Sequence, residues 1–188
     1  FGHDFRPGSK TAIMGTTGAG KTTFFRLLLG LAHPEGGRLS LYSGAFEVEI
    51  SEETRSNFVY VPQGNTLLSG TVRFNLQLAK PDAGEEEMRR VLHDACADFV
   101  LDMPQGLDTE LGERGLGLSE GQAQRIAVAR GLLRPGNVWL FDEVGSALDE
   151  ETERELFRRL LEAYPGKTML FVTHRGTVAS ICDEILTF

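Results

Sequence analysis

At 188 residues, 41% of them apolar, the chain suits one compact α/β domain with a sizeable core and room for an inserted subdomain. No apolar run approaches the roughly 20 residues that a membrane helix needs: the longest candidate, residues 24–31, is broken by Arg26 and ended by Gly30. A net charge of −8 excludes a broad nucleic-acid surface, which needs clustered Lys and Arg, but leaves room for a local phosphate site.

The N-terminus lacks a basic segment followed by an apolar stretch, so no signal peptide is expected, and the absence of an initiator Met predicts a piece of something longer. Cys96 and Cys182 are far apart and fit no zinc spacing, which predicts reduced thiols in a cytosolic compartment.

The first predicted elements are a turn at residues 6–9, with Phe1 and Phe5 on or near a strand leading into it, and a short apolar strand, Lys10–Met14. A Gly-rich loop follows, then a helix starting near Lys21 whose Phe25, Leu28 and Leu29 can face a core, with Gly30 near its stop. Residues 44–50 alternate like a hairpin strand, and Phe58–Val61 reads as a strand closed by Pro62. Over residues 84–133 the apolar spacing turns helical, first in Met88, Val91, Leu92 and Ala95, then in Ile126, Ala127, Ala129, Arg130 and Leu133.

Residues 138–141 and Thr168–Val172 are near-continuous apolar runs, as expected of parallel strands covered on both faces. Between them a helix is predicted over 150–164, with an acidic first turn, a buried stripe of Leu156, Phe157, Leu160 and Leu161, and a stop at Pro165-Gly166. The chain ends as a further strand begins.

Residues 15–22, GTTGAGKT, match G-x-x-x-x-G-K-[ST] between a predicted strand and a predicted helix. Gly15, Gly18 and Gly20 let the backbone curl so that its amides, from Thr16, Thr17 and Ala19 through Thr23, point at phosphate oxygens, and the helix adds its positive end. Lys21 is placed to reach the β- and γ-phosphates and the Thr22 hydroxyl to ligate Mg²⁺. The bland reading is a chance Gly-rich turn, which the strand–loop–helix context disfavours.

Asp142-Glu143 close the strand at 138–141, where open α/β sheets bind ligands. Asp142 can hold Mg²⁺ directly or through a water, and Glu143 can orient and deprotonate the water that attacks a γ-phosphate. Such a pair is also common as solvated loop; the phosphate loop upstream favours the chemical reading.

Residues 118–122, LSEGQ, place Ser119 and Gln122 as a capping box at the start of a helix. The segment also resembles the signature motif of ABC ATPases, usually LSGGQ, with Glu120 in place of a Gly. The rest of the chain resembles that family in order: Gln63 looks like the Q-loop, residues 146–149 ending in Asp149 like the D-loop, and His174 like the switch histidine. Residues 68–76 and 109–115 look like exporter members, the latter like the X-loop.

The resemblance implies an α/β P-loop ATPase core, residues 1–80 and 135–188, with a mostly parallel sheet and an inserted helical signature subdomain, residues 81–134. It implies ATP and Mg²⁺, with Lys21, Gln63, Glu143 and His174 catalytic and with Thr22, Gln63 and Asp142 around the metal ion. It further implies a head-to-tail partner domain, identical or not, whose ATP would be met by Ser119, Gly121 and Gln122 and aligned by Asp149. Transmembrane domains would be the second partner, with the chain on the cytoplasmic side of the membrane and no nucleic acid involved. A soluble ABC ATPase of DNA repair or translation, and a non-hydrolysing regulator, are the other readings. The family's adenine-stacking aromatic finds no match in Phe1 or Phe5, and its first strands are expected to be missing.

Overall fold

The computed structural model describes residues 2–112 and 117–188, so Phe1 and residues Glu113, Arg114 and Gly115 of the X-loop-like stretch lie outside the described set. In chain order come β1 (Lys10–Met14), α1 (Lys21–Leu28), β2 (Ser40–Ser43), β3 (Phe46–Glu49), β4 (Phe58–Val61), β5 (Gly70–Thr71), α2 (Val72–Gln77) and α3 (Glu85–Asp94). They are followed by β6 (Glu110–Leu111), α4 (Glu120–Leu132), β7 (Val138–Asp142), α5 (Glu150–Ala163), β8 (Thr168–Val172), α6 (Gly176–Ala179) and β9 (Glu184–Thr187).

The central sheet is parallel throughout and runs β4-β7-β8-β1-β9. Its middle strands are apolar at almost every position because both faces are covered. On one face, Ile13, Leu140, Leu170 and Val172 pack under Phe24, Phe25 and Leu28 of α1. On the other, Trp139, Phe141 and Phe171 meet Ile126 of α4 and Leu156, Phe157 and Leu160 of α5. The Phe141 and Phe171 rings stack with centroids 5.2 Å apart. Phe25 and Phe141 are essentially fully buried, and each such side chain contributes about 1.5–3 kcal/mol by leaving water. Met88, Val91 and Leu92 of α3 join this second cluster, so the helices of residues 81–134 share a core with the sheet.

Local chemistry sets the helix ends. The expected capping box opens α4: Gln122 N donates to Ser119 Oγ at 3.1 Å, and Ser119 N donates to Gln122 Oε1 at 2.9 Å. Asp149 caps α5 by accepting from Thr152 N at 2.9 Å, and Glu150, Glu151 and Glu153 complement the helix dipole.

Four details depart from the sequence reading. Residues 2–6 form no strand. Strand β3 pairs with β2 as a hairpin, yet all its residues are exposed, Phe46 at 84% and Val48 at 51%. Helix α2 escaped the pattern because six residues are too few to display a helical period. In α5 the buried stripe begins one turn earlier than expected, at Glu153, while Leu161 is only half-buried.

Candidate functional site

Parallel pairing makes the sheet's carboxyl ends finish almost level: Val61 is opposite Phe141, Asp142 opposite Val172, and Val172 opposite Ile13. The residues that follow β4, β7, β8 and β1 are therefore neighbours along one edge, in the order Gln63, Glu143, His174, Gly15. This is the end where open α/β sheets place their ligands.

The loop after β1 is shaped by glycine. Gly20 opens α1 with φ 97°, a left-handed conformation, and a Cβ on Gly15 would lie 2.7 Å from the Phe188 carbonyl oxygen. Thr16, Thr17 and Gly18 form the exposed crown of the loop, Ala19 is half-buried, and Thr22 and Thr23 are exposed on the first turn of α1. Lys21 is buried and folds back, its Nζ donating to the carbonyls of Gly15 at 2.8 Å and Thr16 at 2.9 Å. An ammonium held in the mouth of a loop whose crown is open matches an anion site.

Asp142 ends β7 on the α1 face and is 4% exposed. Tyr60 Oη donates to its Oδ2 at 3.0 Å, and Thr22 also hydrogen-bonds it. Burial pushes its carboxyl above the usual range, with Glu143 adding to the rise and Tyr60, Thr22 and Lys21 opposing it. Tyr60 is itself pushed up, first by burial and then by Asp142, so it stays a phenol donor. A hydroxyl and a buried carboxylate are hard oxygen donors suited to a small divalent cation. Among the described residues, no group of three or more His, Cys, Asp or Glu could hold a metal ion. Thr22 and Asp142, which hydrogen-bond each other, could hold such an ion together with phosphate oxygens.

Glu143 has φ 50°, rare outside glycine, and its N–H donates to the Val172 carbonyl at 3.0 Å. That bond ties the turn after β7 to the end of β8. Its carboxylate Oε1 lies 2.7 Å from His174 Nε2, with the two side chains 22% and 45% exposed. A carboxylate and an imidazole in contact, open to solvent beside an anion loop, can hold a water and move its proton.

Ser119, Gly121, Gln122 and Asp149 form a second group. Ser119, Gln122 and Asp149 engage in the helix caps described above, and Gly121 packs against the Ala147 carbonyl. Ser119, Glu120 and Asp149 are exposed. Gln63 is exposed just past β4, and the preceding Pro62 carbonyl accepts from the buried Gln124 Nε2 of α4 at 3.1 Å.

Sequence reasoning missed Tyr60 and Gln124. Tyr60 is opposite Leu140, two residues before Asp142, so its ring lies on the same sheet face as the carboxylate. Only the pairing of β4 with β7 discloses that.

A family model described as "ABC transporter" matches residues 2–146. An uncharacterised ABC transporter ATP-binding protein of Sinorhizobium fredii is 35% identical over 97% of this chain and 31% of its own length. An ATM1-type heavy metal exporter of Novosphingobium aromaticivorans is 37% identical over 95% of this chain and 30% of its own. Among solved structures, a bacterial Atm1-family ABC exporter with ATP bound superposes with a TM-score of 0.85 at 33% identity, over 96% of this chain and 32% of that one. The chain thus spans less than a third of the length of each.

Proposed function

We propose that this chain, which belongs to the ABC transporter family as an ATP-binding domain of the exporter type, binds ATP with Mg²⁺ and hydrolyses it to drive transport across a membrane. The observation that carries the hydrolytic part is the contact of 2.7 Å between Glu143 and His174 on the same sheet edge as the phosphate loop. Glu143 accepts the proton of the attacking water, and His174 holds that carboxylate in line. Lys21 leaves its loop carbonyls for the β- and γ-phosphates, and the amides of residues 15–23 surround the rest. Mg²⁺ held by Thr22, Asp142 and Gln63 would supply positive charge against the phosphate oxygens.

Signature residues Ser119, Gly121 and Gln122 serve the nucleotide of a second ABC domain packed head to tail, identical or different, with Asp149 at the junction. Their distance in sequence from the phosphate loop and the exposure of Ser119 and Asp149 support this division of labour. Residues 81–134 act as the subdomain that carries the signature, and Gln63 relays its state to transmembrane partners. No helix among the described residues is long and apolar enough to cross a membrane. The likeness to membrane exporters supports a place on the cytoplasmic side of the membrane, as a peripheral domain. The relatives described above are named transporter and exporter proteins, which supports export over DNA repair or translation.

Glu143→Gln tests the reading. The amide keeps the side chain's size and loses its basicity, so phosphate release is expected to fall by about 10²–10⁴-fold, the usual worth of a general base. Nucleotide binding, followed with a fluorescent ATP analogue and Mg²⁺, should persist. Hydrolysis at the unaltered rate would remove Glu143 from the chemistry.

A further inference from the structure

Glu153 is a carboxylate in the apolar stripe of α5. It is 1% exposed and precedes Leu156, Phe157 and Leu160 at helical spacing. A charge so placed is costly unless it is paired and hydrogen-bonded. Its side-chain partners come from the segment after β8 that carries His174 and runs into α6. Arg175 Nη1 donates to Glu153 Oε2 at 3.2 Å, and the Thr177 hydroxyl donates to the same oxygen at 3.2 Å. Arg175 also extends Nη2 to the Ser146 carbonyl at 3.3 Å. On the other side, a Cβ on Gly145 would overlap Glu153 Oε1, so the loop after β7 rests directly on the carboxylate.

Gly145 is two residues from Glu143, and Arg175 adjoins His174. The clamp therefore grips both loops from behind, while their functional side chains meet in front. Glu143 needs such support, since its backbone holds a left-handed φ of 50°. We propose that Glu153 is a positioning residue: through Arg175 and Gly145 it sets the separation of Glu143 and His174 during ATP hydrolysis. This rests on the roles given to Glu143 and His174 above.

The test is a double-mutant cycle on ATP hydrolysis by the full-length protein, read by phosphate release. Glu153→Gln preserves volume against Gly145 and removes the charge facing Arg175. It is expected to lower kcat by about tenfold with KM for ATP within about twofold, because misplacement at the reacting groups leaves ground-state binding alone. In a His174→Ala background the same change should lower the residual single-turnover rate by clearly less than about tenfold, since one of the two groups whose separation it sets is then absent. Arg175→Ala, at a half-buried side chain, should reproduce both results and decides the matter if Glu153→Gln does not fold. An undiminished kcat, a change confined to KM, or an equal loss in both backgrounds would overturn the proposal. If His174→Ala itself leaves hydrolysis intact, the role of His174 fails and this inference with it. If His174→Ala is crippled and Glu153→Gln is silent, only this inference fails.

Discussion

A Cβ built on Gly121 would lie 2.8 Å from the Ala147 carbonyl oxygen and 3.0 Å from a Leu148 methyl. The first contact is with backbone, so it cannot be relieved by a rotamer change. Gly121 in LSEGQ is therefore required within this chain, before any partner's nucleotide is considered. Gly121→Ala is expected to destabilise the nucleotide-free fold by about 1–3 kcal/mol, the ordinary penalty of overpacking. Urea unfolding reads this directly, and a midpoint unchanged from wild type would mean that the 144–149 loop yields freely. Glu120, one position earlier, is exposed at the positive end of α4, where its charge suits the dipole. The motif's departure from the family pattern is thus compatible with the local fold.

At the scale of elements, the Arg159 guanidinium and the Tyr164 hydroxyl, which donates to Asp94 Oδ2 at 2.7 Å, fasten α5 to the end of α3. Arg159 Nη1 donates to the His93 carbonyl at 2.6 Å and to Asp98 Oδ2 at 2.8 Å, while its Nε holds Glu155 Oε1 at 2.7 Å. Arg158 Nη2 binds that same Glu155 oxygen at 2.7 Å. Hydrogen bonds from Arg158 and then Arg159 draw the Glu155 carboxyl down from its ordinary 4.5 to about 2. Its folded value is depressed, so the contribution to stability is present above pH 4.5 and lost as pH falls toward 2. Glu155→Gln should accordingly melt below wild type at neutral pH, with the gap closing on acidification through that window. Because the Glu155 side chain is still 35% exposed, solvent screens these pairs, and the gap should be small and should shrink further in added salt. A difference independent of both pH and salt would assign the effect to packing.

The molecule as a whole carries the phosphate loop and the LSEGQ segment as separate groups, and the proposed mechanism needs both around one nucleotide. The isolated domain is then expected to be mostly monomeric, with a specific ATPase activity that rises with protein concentration. Glu143→Gln with MgATP should trap a dimer, visible by sedimentation velocity, because assembly proceeds and hydrolysis does not. A domain that stays monomeric with ATP yet hydrolyses it at a concentration-independent specific rate would be a self-contained NTPase.

What the sequence determined unaided was chemistry held in short contiguous stretches. The phosphate loop is one run of residues 15–22 with glycines where the backbone must turn, and the Ser119–Gln122 box is closed by two bonds three residues apart. The runs at β7 and β8 announced parallel strands through nearly unbroken apolarity, because burial on both faces erases alternation. Asp142 and Glu143 were legible as the carboxylates closing such a run, whereas Gln63 and His174 stood out only through the family resemblance. Their assembly was not legible. Tyr60 reaches Asp142 across 82 positions of sequence, and Glu153 reads as the polar start of a helix until Arg175 and Thr177 close over it. Those contacts depend on the strand order β4-β7-β8-β1-β9 and on the seating of α5. Only the tertiary structure decided them, because pairing between distant elements is set by packing of their buried faces, to which no local run of residues has access.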